Sequence, residues 1–218
     1  MKKSAPTLLY RQDNKNMVLN SVRGFSLVEA LVSIGIVTLI MSSVLFDYST
    51  FNDNLALSSI GQEMSIAMRQ AQTYGLTVRE AGQTSGRFDS AYGVHFDKDD
   101  PTNYYLFADL DGDRKYDIGA GCGSGPTNTE CVEKFSLRNG VTVSEICSVT
   151  DCPPPAARAM DITFLRPNPD AVVKFINNGG QAIGGTYLTG KVRLLSSKGG
   201  TLLITIESTG QVLVGEVD

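Results

Sequence analysis

The chain has 218 residues, with 19 Lys and Arg against 23 Asp and Glu, and 42% of its residues are hydrophobic. That length suits one globular domain with an appendage, and that hydrophobic content excludes wholesale disorder. A net charge of −4 argues against a general nucleic-acid binder, and the single histidine, His95, excludes His-rich or paired-His metal chemistry.

Charge is unevenly spread along the chain. Residues 1–24 hold Lys2, Lys3, Arg11, Lys15 and Arg23 against Asp13 alone, which leaves the remainder acidic. From Phe25 to Phe46 the sequence is apolar on every helical face, with Glu29 as its one charged residue. About 20 apolar residues span a bilayer as helix, so this run predicts a single transmembrane segment. A helix packed on one side against a soluble core would instead be amphipathic. Basic residues before the span and acidic ones after it predict a cytoplasmic N-terminus and an extracytoplasmic body. A cleaved secretory signal would end in a small-residue site, which Ser42-Ser43-Val44 matches poorly. A carboxylate within such a span costs ~2.5–3.5 kcal/mol. Glu29 therefore calls for a cationic partner at the membrane boundary, or snorkels to the interface.

Arg23-Gly24-Phe25-Ser26-Leu27-Val28-Glu29-Ala30-Leu31 resembles the prepilin signature of type IV pilins and type II secretion pseudopilins. The resemblance implies that a membrane peptidase cuts between Gly24 and Phe25 and then methylates the new amine of Phe25. It further implies that Glu29 meets the N-terminal amine of a neighbouring subunit during filament assembly. The partners it implies are the prepilin peptidase, other pilin or pseudopilin subunits, the inner-membrane assembly platform and the inner membrane itself. Enzymatic activity is not expected. The leader would be residues 1–24, or a shorter one beginning at Met17.

Beyond the span, Leu55, Leu57, Ile60, Met64, Met68 and Ala71 recur mostly every three or four residues, one apolar stripe of an amphipathic helix. Gln62, Glu63, Arg69, Gln70 and Gln72 mark its other face. Gly75, or the Ala81-Gly82 pair, is the expected stop. A helix from Phe25 to about Tyr74 would be about 75 Å long. Gly35 and Gly61 are places where it could bend.

After Gly86 the pattern changes to short strands at 92–96, 104–108, 132–137, 141–146, 161–165, 172–176, 191–195, 201–206 and 212–214. Asn139-Gly140, Asn178-Gly179-Gly180, Lys198-Gly199-Gly200 and Thr209-Gly210 are turn signals, and strands joined so closely are antiparallel. Gly184-Gly185 reads as a turn as well. The order of helix, short strands and a closing pair resembles the GspH/FimT subgroup of minor pseudopilins and minor pilins, as does the stretch from Phe107 to Asp117.

Asp109, Asp111, Asp113 and Asp117 form a D-x-D-G-D-x-x-x-D run whose carboxylates could converge on calcium. The spacing departs from an EF-hand loop: Arg114 stands at its glycine position and Ala120 at its closing glutamate. An acidic turn satisfied by its own backbone is the preferred reading. No other cofactor is expected.

A zinc site would want two closely spaced cysteine pairs, and the eight residues between Cys122 and Cys131 are too many; an extracytoplasmic body favours two disulfides among Cys122, Cys131, Cys147 and Cys152. A hairpin formed by 132–137 and 141–146 around Asn139-Gly140 would bring all four together. Local pairs, Cys122 with Cys131 and Cys147 with Cys152, are preferred over nested ones, and the pairing stays open. His95 is expected at the surface or on an edge strand, without a catalytic role.

The expectation is an α+β protein: leader 1–24, transmembrane helix 25–46, amphipathic continuation 47–82, and an antiparallel β-sandwich or twisted-sheet head over 83–218. Its expected role is a structural subunit, a minor pilin or pseudopilin. The alternative is a single-span anchored binding or sensor protein with an extracytoplasmic β domain and an uncleaved leader.

Overall fold

The computed structural model describes residues 24–81, 86–117, 122, 129–148 and 157–216. The fold is α+β. Among the described residues there is one helix, α1 (Leu27–Leu76), followed by ten strands, and the chain divides into two compact units between Leu45 and Phe46.

In the second unit, the strands are β1 (Tyr92–Asp97), β2 (Asn103–Ala108), β3 (Cys131–Ser136), β4 (Thr142–Cys147) and β5 (Ala157–Leu165). They continue with β6 (Asn168–Asn177), β7 (Ala182–Tyr187), β8 (Thr189–Leu195), β9 (Thr201–Glu207) and β10 (Val212–Glu216). Two sheets result, one of six strands in the order β3-β2-β1-β5-β6-β7 and one of four in the order β10-β9-β8-β4. All pairings are antiparallel.

One core joins the later part of α1 to both sheets. Leu57, Ile60, Met64, Ala67, Met68 and Ala71 form its helical stripe. Val94, Phe96, Leu106, Met160, Ile162, Phe164, Val173 and Phe175 come from the six-stranded sheet, and Val143, Ile146, Val192, Leu194, Leu202, Ile204 and Ile206 from the other. The period of the helix and the alternation of the strands are what let these residues face one another. Leu55, expected in the stripe, is 52% exposed and lies off it.

Two glycines let α1 approach the sheets closely. A Cβ on Gly61 would come within 2.5 Å of Leu202 Cδ2 and 3.1 Å of Val214 Cγ1. A Cβ on Gly75 would strike the backbone carbonyl of Phe164 on β5, with its carbon 2.8 Å away. The helix continues past Gly75 to Leu76. Both glycines mark contact points, and α1 ends one residue past Gly75, beside its expected stop.

Two further expectations need correction. The segments around Asn139-Gly140 do not form a hairpin, because β3 pairs with β2 while β4 pairs with β8 in the other sheet. Asn139 and Gly140 both take positive φ (58° and 72°), so the expected tight turn forms. It carries the chain from one sheet to the other: Leu137 N–H donates to Thr102 O on one side and Val143 N–H to Pro101 O on the other. Gly184 and Gly185 lie within β7 rather than in a turn.

Candidate functional site

In the first unit, the backbone turns into α1 at Ser26. The Ala30 N–H donates to Ser26 O at 3.1 Å, the first intrahelical bond, and the Glu29 N–H donates to Ser26 Oγ at 3.1 Å. Ser26 is thus the N-cap, a serine in the position where that residue type is favoured. Glu29 sits in the first turn, where the helix dipole favours a negative charge. Gly24 and Phe25 precede the helix; among the described residues a Cβ on Gly24 would meet no atom within 4 Å, and Phe25 is 77% exposed. The junction backbone is therefore sterically open.

Leu27–Leu45 has a mean hydropathy of 2.1 and none of it is buried. Ser33, Thr38 and Ser42 donate their hydroxyls to Glu29 O, Gly35 O and Thr38 O at 2.7–2.8 Å, so their polar groups are satisfied within the helix. This apolar surface, exposed all round, suits a lipid or helix-lined environment and not water.

In the second unit, the acidic run lies between β2 and β3, and most of its carboxylates hold backbone. Asp109 accepts the N–H groups of Gly112 and Arg114, Asp111 that of Asp113, and Asp113 that of Lys115. Glu130, which the sequence reading missed, accepts the N–H groups of Leu110 and Asp117 at 2.9 and 2.7 Å. Carboxylate oxygens of Asp109, Asp111 and Glu130 lie within 4.8 Å of one another. This oxygen-only set would suit a hard cation such as calcium. Among the described residues Asp113 and Asp117 are not part of it: Asp113 pairs with Lys115 at 2.5 Å. Burial pushes the Glu130 carboxyl up to about 7 and raises that of Asp109, whereas the backbone N–H of Asp113 lowers that of Asp111.

Cys122 and Cys131 are joined by a disulfide with Cα atoms 4.9 Å apart. Cys147 is also disulfide-bonded, and Cys152 lies outside the described residues.

His95 is not on an edge. It lies on β1, between β2 and β5, and is 4% exposed. Its Nδ1 is 2.6 Å from Oδ1 of Asp161, which is fully buried. Asp161 Oδ2 accepts the Tyr116 N–H at 3.2 Å, and the Tyr116 ring covers the imidazole with centroids 4.7 Å apart. Asp161 is 66 residues from His95 in sequence, so no local signal could have found it.

Residues 19–45 match the family model of the prokaryotic N-terminal methylation motif, which covers the Gly24-Phe25 junction, Glu29 and the apolar segment. This match supports the type IV pilin and pseudopilin family, and with the apolar helix it fits a membrane-anchored, single-pass protein. No curated protein and no solved structure matches the chain.

Proposed function

We propose that the chain is a minor pilin or pseudopilin, a structural, non-enzymatic subunit of a type IV pilus or type II secretion pseudopilus, of the GspH/FimT kind. The observation that carries this reading is the placement of Glu29. It is the one charged residue of the exposed apolar segment, it stands in the first turn of α1, and it lies five residues into a chain that would begin at Phe25.

In this reading the prepilin peptidase cuts the exposed backbone between Gly24 and Phe25 and the Phe25 amine is methylated. The mature N-terminus then carries a positive charge into the membrane boundary. A lone carboxylate at that depth is stabilised by a cation, and the amine of an adjoining subunit supplies one. The N-terminus lies on the cytoplasmic side and the β unit outside, where disulfides persist. The apolar helix provides packing within the filament, and the β unit provides the surface.

Co-expression with a prepilin peptidase tests this. The full chain is expected to lose the mass of its leader, and Gly24→Val to keep it. A chain whose mass is unchanged by active peptidase would contradict the reading.

A further inference from the structure

The outer face of the six-stranded sheet carries a polar row that a filament role leaves unexplained. Strand register sets Lys134, Tyr105, His95, Asp161 and Lys174 side by side across β3, β2, β1, β5 and β6. The loop after β2 crosses this row and is fastened to it. Tyr116 N–H donates to Asp161, the Tyr116 ring lies on His95 and Tyr105, and Lys174 Nζ donates to Asp113 O at 2.8 Å. Beside the fastened loop is a cleft of ≈ 200 Å³ whose lining includes His95, Asp97, Lys115, Tyr116, Asp117 and Arg158.

The bonding of these groups shows which are available to a ligand. The His95 tautomer that carries its proton on Nδ1 donates it to Asp161 Oδ1, while Asp161 Oδ2 accepts the Tyr116 N–H. In the neutral ring Nε2 is then an acceptor, and it has no partner among the described residues. Arg158 is held by Asp97 and Asp99, each at 2.8 Å, and Lys115 by Asp113. The two cations of the cleft are therefore already neutralised. The Asp117 carboxylate has no hydrogen-bond or ion-pair partner among the described residues; only its backbone N–H is engaged. With the His95 ring neutral, the groups left for a ligand are an imidazole nitrogen and a carboxylate, both acceptors.

The surroundings add a field of the same sign. Asp113, Asp117 and Asp111 raise the Lys115 pKa, and Asp97 and Asp99 raise that of Arg158. Among the described residues lining the cleft, an anion would meet no free cation. The carboxylates that converge as a metal ligand set do so elsewhere, at Asp109, Asp111 and Glu130.

We propose that the cleft beside His95 binds a primary ammonium group, which donates hydrogen bonds to His95 Nε2 and to the Asp117 carboxylate. The same chemistry is offered by a lysine side chain of a protein partner or by a free small amine. This concerns the β unit alone and stands or falls independently of leader cleavage.

The single histidine makes the test direct, because the full chain in detergent gives one set of imidazole nitrogen NMR signals. Titration with n-butylammonium at constant pH is expected to move the His95 Nε2 signal saturably. Acetate and methyl glucoside should leave it in place. Asp117→Asn, which keeps the backbone donor to Glu130, should weaken butylammonium binding by roughly tenfold or more. A lysine-containing peptide that binds more tightly than 1,4-diaminobutane would assign the site to a protein partner, and the reverse order to a free amine. The proposal is overturned if no amine moves the signal saturably, if Asp117→Asn binds as well as the unaltered chain, or if acetate or the glucoside saturates instead.

Discussion

The Oγ of Ser26 accepts the backbone N–H of Glu29 at 3.1 Å, which ties the one charged residue of the apolar segment to the start of α1. A carboxylate held there can meet a cation at the membrane boundary without leaving the helix. Glu29→Ala keeps the cap, because the bond uses the Glu29 backbone. That variant should therefore insert and lose its leader normally, yet be absent from sheared filaments or pseudopilus fractions. Immunoblotting of membrane and filament fractions reads both outcomes, and normal incorporation would remove the role given to Glu29.

Gly75 brings α1 against the backbone of β5, and its own carbonyl accepts the Arg166 N–H at 3.0 Å. Gly75→Ala forces a Cβ into a backbone group that cannot rotate away, so a loss of about 1–3 kcal/mol is expected from denaturant unfolding. Gly61→Ala should cost less, since its nearest neighbour is the end of the flexible Leu202 side chain.

Glu130 makes stability depend on pH. Burial, reinforced by the charges of Asp117 and Asp109, raises its carboxyl from the ordinary 4.5 to about 7, against the backbone donors that stabilise its charge. A folded-state pKa above the unfolded one means the native state holds the extra proton. The contribution is complete below pH 4.5 and is lost as pH rises through about 7. Asp109 acts with the same sign, and Asp111 with the opposite sign at more acid pH. Thermal unfolding of the full chain in detergent should therefore give a lower midpoint at pH 8 than at pH 5, from a stability loss on the order of 2 kcal/mol. Glu130→Gln should flatten that slope. An unchanged slope in the variant would assign the pH dependence to other groups.

The Cys122–Cys131 bond closes a loop with a sequence separation of 9 beside Glu130. Replacing both cysteines by serine should lower stability by about 2–3 kcal/mol. Alkylation before and after reduction, read by intact mass, should show these thiols protected until reductant is added.

What could be read from the sequence follows from the range of each signal. The apolar span, the stripe on α1 and most strands depend on residues a few positions apart, and α1 and the sheets hold them in that pattern. Strand β7 escaped notice because Gly184 and Gly185 lend it turn chemistry and because, as an edge strand, it needs little apolar alternation. Asn139-Gly140 specified a turn correctly but not its use. A dipeptide fixes local φ, whereas the sheet that β4 joins is decided by burial of Val143 and Ile146 and by pairing with β8, including the Arg193–Glu145 ion pair. At the polar sites the same limit applies. Asp109 and Asp111 were visible as a motif, but Glu130 and Asp161 reach their partners only through strand order, which no local pattern encodes.

The central claim rests on the end of the mature chain. Mass spectrometry of the N-terminal peptide, from protein isolated out of native membranes, reads that end directly. The account predicts a peptide that begins at Phe25 and carries one methyl group on its amine. A peptide that retains the basic residues before Gly24, beginning at Met1 or Met17, would contradict it and leave an anchored extracytoplasmic β domain in its place.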